Sequence, residues 1–220
     1  MSVFDARFEE LPESLPVFPL AEVLLLPRGN LPLNIFEPRY LAMVEDALAA
    51  ERMIGMIQPR GACGAQSVPE LFHTGCAGRI CRFEETGDGR YLIALRGVCR
   101  FDIAEEQPAE RGYRRVHADW SPYEADLTPG GGNRLDRDRL LAVLERYFAA
   151  REIDADWEAV REAPEERLVN CLSMICPFDA PEKQALLEAP DLEARAEMLT
   201  ALMEMAALGE DAAPGCRTRQ

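Results

Sequence analysis

Lysine is almost missing from this chain. Among 24 basic residues only Lys183 is a lysine, and the rest are arginines. A Walker A loop needs a Gly-Lys-Ser/Thr step to hold nucleotide phosphates, whereas Lys183 lies in Glu182-Lys183-Gln184. A Ser–Lys hydrolase would have to use this same residue, and no serine-bearing or glycine-rich nucleophile loop surrounds it. Positive charge is also outnumbered: 39 acidic residues leave a formal charge of −15. That excess repels phosphate backbones and anionic bilayers, so neither nucleic acid nor membrane is an expected partner. Long apolar runs are absent as well. Val23 to Leu26 is preceded by Glu22 and stopped by Pro27, and no run approaches the roughly 18 residues of a membrane span. The first 20 residues carry four acidic side chains and no basic start before an apolar stretch, so no secretory leader is expected. The seven cysteines are an odd number, which with no leader predicts reduced thiols in a cytoplasmic protein.

Apolar residues make up 48% of the chain, enough for a folded core. The first half is rich in proline, glycine and β-formers. Pro16 to Leu26 reads as a strand entered through proline corners, and Arg28-Gly29-Asn30 as a turn. Leu31 to Phe36 resumes an extended segment. A helix then starts at Pro38, with Tyr40, Leu41, Val44, Ala47 and Leu48 on one face. Met53 to Gln58 and Thr74 to Glu84 read as strands, and Glu85 to Gly89 as a hairpin turn. Tyr91 to Leu95 and Val98 to Ala104 follow, parted by a bulge at Gly97, and Tyr113 to Trp120 is one more strand.

The composition changes at Ser121 to Asn133, where Pro122, Pro129 and Gly130-Gly131-Gly132 suggest a flexible joint. Beyond it the pattern is helical to Leu208. Leu168, Leu172 and Ile175 are expected to face inward; Asp154 or Asp156, Asp179 with Glu182, and Asp191 supply caps; Gly209 ends the last helix. The fold class is therefore α+β. A β-rich subdomain with one helix (1–120) and a linker (121–133) precede a helical bundle (134–209) and a disordered tail (210–220).

Several motifs invite sharper chemistry. Cys63, His73, Cys76 and Cys81 offer metal-ligand residue types in a Cys-x9-His-x2-Cys-x4-Cys spacing, but Cys76 and Cys81, five apart on a strand, fall on its opposite faces. No metal and no cofactor is expected. A Cys–His nucleophile built on His73 or His117 lacks any element that brings the pair together, so no catalytic residue is assigned. The Arg111-Gly-Tyr-Arg-Arg115 cluster offers an RNA contact, yet on an acidic chain it reads better as a charged edge strand that blocks sheet aggregation.

Four segments carry a family resemblance. They are Leu15-Pro-Val-Phe-Pro-Leu20 with Leu24-Leu-Leu-Pro27, and Pro32-Leu-Asn-Ile-Phe-Glu-Pro-Arg-Tyr40. The others are Gly75 to Ile80 with Asp88 to Phe101, and Glu182 to Glu188 followed by Leu192. Together they resemble the N-terminal substrate-binding domain of the Lon protease family in its stand-alone form. The resemblance implies a PUA-like barrel followed by a helical bundle. It also implies a non-catalytic module that binds unfolded or tagged polypeptides or a partner protein, and leaves the oligomeric state open. The ATPase and the Ser–Lys peptidase of the full-length protease are not expected, in keeping with the single lysine. Alternatives are an RNA-binding PUA-like domain and a Cys/His hydrolase. Candidate peptide-binding residues are Leu33, Ile35, Phe36, Arg39 and Tyr40. In one reading Phe36 and Tyr40 line an apolar groove while Arg39 pairs a carboxylate. In the other, favoured here, Glu37 sits at the helix N-terminus and the two rings pack the helix onto the barrel. The expected groove lies between barrel and bundle, beside an exposed strand edge.

Overall fold

A computed structural model describes residues 7–61, 69–109, 111–128 and 135–211. Strand β1 (Ser14–Pro19) buries Leu15 to Phe18 and runs parallel to β3 (Met53–Ile57), with Val17 opposite Gly55. Between them lie β2 (Asn30–Ile35) and helix α1 (Pro38–Ala49). A short ladder of β4 (Pro59–Arg60) and β5 (Glu70–Leu71) follows, then a long hairpin of β6 (Thr74–Glu85) and β7 (Tyr91–Gln107), and then β8 (Arg114–Asp119). The sheet order is β2-β7-β6-β3-β1-β8, and β8 pairs again with the end of β7. The second pairing closes β7, β6, β3, β1 and β8 into a ring and leaves β2 outside it. Inside sit Leu15, Val17, Phe101, Val116 and Trp120.

Ring closure changes two expectations. Tyr91 to Gln107 is one continuous strand rather than two. The bulge falls at Val98, because Ala77 pairs with Cys99 while Gly78 pairs with Gly97. Gly97 answers a different need: a Cβ there would lie 2.0 Å from the Leu26 carbonyl oxygen, so the chain crosses at a distance only glycine permits. The Arg111–Arg115 cluster is likewise no sheet edge, since β8 has β1 on one side and β7 on the other.

The opening strand is shorter than expected. It ends at Pro19, and Leu24, Leu25 and Leu26 lie in irregular backbone, yet all three are buried. Glu22 and Arg28 adopt positive φ, at 62° and 64°, which breaks any extended run. These leucines form a wedge between barrel and bundle, in one apolar cluster with Leu95, Leu144, Leu172 and Leu199.

The bundle is built from α2 (Arg137–Ala150), α3 (Trp157–Glu162), α4 (Glu165–Ile175), α5 (Ala180–Glu188) and α6 (Leu192–Asp211). Its caps are the residues whose chemistry suits them. Asp136, Asp156 and Asp191 accept from backbone N–H groups three residues on, and Asp179 with Glu182 closes a reciprocal capping box. Helix α6 runs through Gly209 to Asp211, so that glycine does not stop it, and the rest of the expected tail (212–220) lies outside the described residues. The expected linker starts differently too. Ser121–Leu127 forms tight 3-10 turns with Asp126 buried, while the triple glycine lies outside the described residues.

Buried polar bridges join the two halves. Arg100 of β7 donates from Nε and Nη2 to the Asp126 carboxylate, at 2.8 and 2.9 Å. Its Nη1 donates to the carbonyls of Leu187 and Ala189 at the end of α5, the negative pole of that helix. Arg195 donates to Leu186 O and Asn170 Oδ1, and Asn170 donates to Pro27 O. Gln184 donates to Thr74 O. Lys183 donates to Glu22 O at 2.7 Å and to Met174 O at 3.3 Å, so the solitary lysine fastens the positive-φ turn to the bundle.

Candidate functional site

Beyond the ring, the outer halves of β6 and β7 project with β2 as a three-stranded sheet. Its two edges differ in chemistry. The β6 edge carries Arg82, Glu84 and Glu85, charges that discourage another strand. The β2 edge reads Asn-Leu-Pro-Leu-Asn-Ile, without a charge, and among the described residues pairs with β7 alone; only Pro32 lacks a donor. Near its tip Phe36 is 61% exposed, Phe83 41% and Leu92 39%, with the Arg90 guanidinium 5.8 Å from the Phe36 ring.

The sequence-derived candidates divide across this sheet. Leu33 is half-buried opposite Ile93, and Ile35 is buried opposite Tyr91. Tyr40 is buried with its ring 4.3 Å from Phe18, holding α1 to β1. Phe36 and Arg39 are exposed, and Arg39 pairs with Glu37 at 2.8 Å while lying over the Tyr40 ring. The motif thus combines two tasks: Tyr40 anchors the corner and Phe36 faces outward.

A second feature lies between barrel and bundle, where a groove is expected, although the sequence alone assigns none of its lining residues to that groove. A cavity of about 520 Å³ opens where β2 begins, between Gly29, Asn30 and Arg96 on the barrel and Arg167, Asn170, Met174 and Ile175 on α4. Ile175, expected to point inward, is 63% exposed, because the turn after α4 buries Cys176 instead. Arg28 is neutralised here by Glu166 and also donates to Asp126 O at 2.5 Å. Arg96, half-buried, and Arg167, exposed, have no ion pair or hydrogen-bonded side-chain partner among the described residues. Nothing in a single sequence marks Arg96 as a groove residue, since its place depends on a helix more than 60 positions away.

The remaining candidates have other engagements. A polar cavity of about 620 Å³ contains Asp46, Arg111, Tyr113, Arg115 and His117. Arg111 pairs with Glu45 and Asp46, Arg114 with Glu106, and Arg115 donates to Ser14 Oγ, so the basic cluster is largely compensated. The hydrogen bond from Tyr113 (2.7 Å) and the neighbouring Arg111 hold the Asp46 carboxyl below its ordinary value. His73 lies 3.7 Å from Asp102 and His117 contacts Gln107 at 2.8 Å; among the described residues neither has a cysteine partner. Burial pushes the Cys99 thiol up to about 12, Cys176 to about 11, and Cys76 well above its ordinary value, the reverse of nucleophile activation. Cys76 is buried and Cys81 exposed, Cys63 lies outside the described residues, and among the described residues no cluster of His, Cys, Asp and Glu could hold a metal. Among those residues no helix is long and apolar enough to cross a membrane.

The family model of the ATP-dependent protease La (LON) substrate-binding domain matches residues 14–205. Lon protease 2 of Myxococcus xanthus is 26% identical over 89% of this chain, and Lon protease of Anaeromyxobacter dehalogenans 25% over 89%. The chain spans only 24% and 23% of those two proteins, about a quarter of the curated relatives it matches. Among solved structures, a Lon N-terminal domain protein from Xanthomonas campestris is 26% identical, with a TM-score of 0.60 over 86% of this chain and 97% of that one. The N-terminal domain of Mycobacterium avium complex Lon protease shares the fold at 18% identity, with a TM-score of 0.59 over 87% of this chain and 98% of that one. The match covers the substrate-binding region and none of the catalytic parts, and the chain belongs to the Lon substrate-binding domain family.

Proposed function

We propose that this chain is a non-catalytic module that binds extended polypeptide segments of unfolded or tagged proteins. The observation that carries the reading is the uncharged edge of β2, unpaired among the described residues, beside the exposed Phe36 and Leu92. An added strand gains main-chain hydrogen bonds from such an edge, and exposed aromatic and aliphatic side chains select what lies beside it. In this reading Leu33, Phe36 and Arg39 meet the polypeptide, while Ile35 and Tyr40 hold the strand and α1 from beneath. The five free thiols of Cys76, Cys81, Cys99, Cys171 and Cys176 suit a reducing, cytoplasmic setting. The ion pairs of Arg111 and Arg114 and the net charge of −15 weigh against RNA as the ligand.

The test is fluorescence anisotropy with a labelled, permanently unfolded polypeptide such as reduced carboxymethylated casein. Phe36→Ser and Leu92→Ser are expected to weaken binding at least five-fold each while leaving the unfolding midpoint unchanged. Equal affinity for wild type and both variants would overturn the assignment of this edge.

A further inference from the structure

We propose that the cavity at the start of β2 is an anchor for the free C-terminal carboxylate of the bound polypeptide, gripped by Arg96 and Arg167. The inference rests on the reading of the β2 edge as the binding edge and adds which end of the polypeptide is recognised.

Direction gives the first argument. The projecting sheet is antiparallel throughout, and a further strand added in the same sense runs against β2, from Ile35 towards Asn30. Its C-terminal end therefore arrives at Asn30, the β2 residue that lines the cavity.

The path then stops. Beyond Asn30 the chain is closed in by α4: a Cβ on Gly29 would lie 2.6 Å from Met174 Sδ, and the Arg28–Glu166 pair spans from the barrel to the bundle. An added strand must end or turn away there, which favours a chain terminus over an internal segment.

Charge gives the third argument. Arg28 is already neutralised by Glu166, so the unspent charge in the cavity belongs to Arg96 and Arg167. Two uncompensated guanidinium groups facing one cavity are unusual on a chain of charge −15 whose other arginines are largely engaged. Guanidinium forks match a carboxylate in two parallel hydrogen bonds, and a half-buried site strengthens them relative to open water. Ile175 supplies the exposed apolar surface for the last side chain.

The experiment uses three N-terminally labelled ten-residue peptides of one uncharged, β-prone sequence. One ends in a free carboxylate, one in an amide, and one in a glutamate whose own terminus is amidated. Anisotropy titrations against the whole chain are expected to show the free acid binding about ten-fold tighter than either amidated peptide. Arg96→Gln and Arg167→Gln should each shrink that ratio, the pair together should bring it near one, and Arg96→Lys should keep part of it. Arg167 is exposed, so its variant reports on the anchor even where Arg96→Gln perturbs folding. Phe36→Ser should weaken acid and amide equally and leave the ratio alone. Equal binding of acid and amide, with Phe36→Ser still weakening both, overturns the anchor and leaves the edge standing. An amidated glutamate peptide that matches the free acid overturns recognition of the terminus. Failure of all three peptides to bind overturns the edge and the anchor together.

Discussion

Removing the carboxylate of Asp126 should unfasten the barrel from the bundle. Asp126 sits on the 3-10 turn after β8, where its side chain is 10% exposed, and the Arg100 side chain opposite is 5% exposed. The carboxylate accepts three hydrogen bonds from Arg100: the backbone N–H at 3.0 Å, Nε at 2.8 Å and Nη2 at 2.9 Å. In Asp126→Ala the guanidinium stays buried with only the Leu187 and Ala189 carbonyls as partners. An uncompensated buried charge of this kind costs about 3–5 kcal/mol. For a chain of this size that amounts to a fall in Tm of roughly 6–20 °C. Arg100→Met/Asp126→Leu removes both charges but leaves the Leu187 and Ala189 carbonyls and the Arg100 N–H unsatisfied, at about 1–3 kcal/mol each. Without a stranded charge, the loss in the double variant should fall short of the sum of the two single losses.

The two tryptophans make the assay specific, because Trp120 belongs to the barrel cluster and Trp157 packs against the bundle. Urea titrations of Trp157→Phe and Trp120→Phe backgrounds read each half separately. Coincident midpoints are expected in the parent and separated midpoints in Asp126→Ala. A loss below about 1 kcal/mol in Asp126→Ala, or a double variant whose loss equals the sum of its singles, would refute the account of the pair as an interlock.

Two further substitutions probe the same junction. Lys183→Met keeps the side-chain bulk but withdraws the donors to Glu22 O and Met174 O, and should cost about 1–3 kcal/mol in urea unfolding. Burial lowers the Lys183 pKa, so the folded state disfavours its protonated form. The penalty of burying its charge is therefore absent above the ordinary lysine value and fully present once pH has fallen below the lowered one. The parent should accordingly gain stability with rising pH on the alkaline side relative to Lys183→Met, and parallel pH profiles of the two would count against this. Gly97→Ala should lose about 1–3 kcal/mol by denaturant titration, because the new methyl meets the Leu26 carbonyl; an unchanged midpoint would show that the crossing can relax.

What the sequence made legible was local. Asp156 (with Asp154 as the alternative), Asp179 and Asp191 are read as caps because a short acceptor ahead of a helix satisfies orphan N–H groups within three residues. Tyr40 is read as a packing residue because it shares a helical stripe with Val44 and Ala47. Leu24-Leu25-Leu26 defeats the same logic: an apolar run signals burial but not backbone shape, and the shape here is set by positive φ at Glu22 and Arg28, neither of them glycine. The exposure of Ile175 and the neutralisation of Arg111 by Glu45 and Asp46 depend on partners far along the chain. So does the closure that turns β8 from an edge into an interior strand.

The scarcity of lysine has a physical counterpart in how arginine is used. Arg100 reaches one carboxylate and two carbonyls at once, and Arg195 one carbonyl and one amide oxygen. A planar group with five fixed donors can satisfy several helix-end acceptors in different directions, whereas an ammonium concentrates its donors at one atom. The single lysine stands where two carbonyls converge on one point, the case an ammonium serves well. Arginine that ties off acceptors loses its availability to a ligand, so the residues to examine for binding are those left over. Arg96 and Arg167 are left over, they share one cavity, and the polar bridges around them hold that cavity open before any ligand arrives. A preformed cationic end-stop costs little ordering on binding, and affinity gained there would be read as selectivity for a chain terminus rather than as general stickiness.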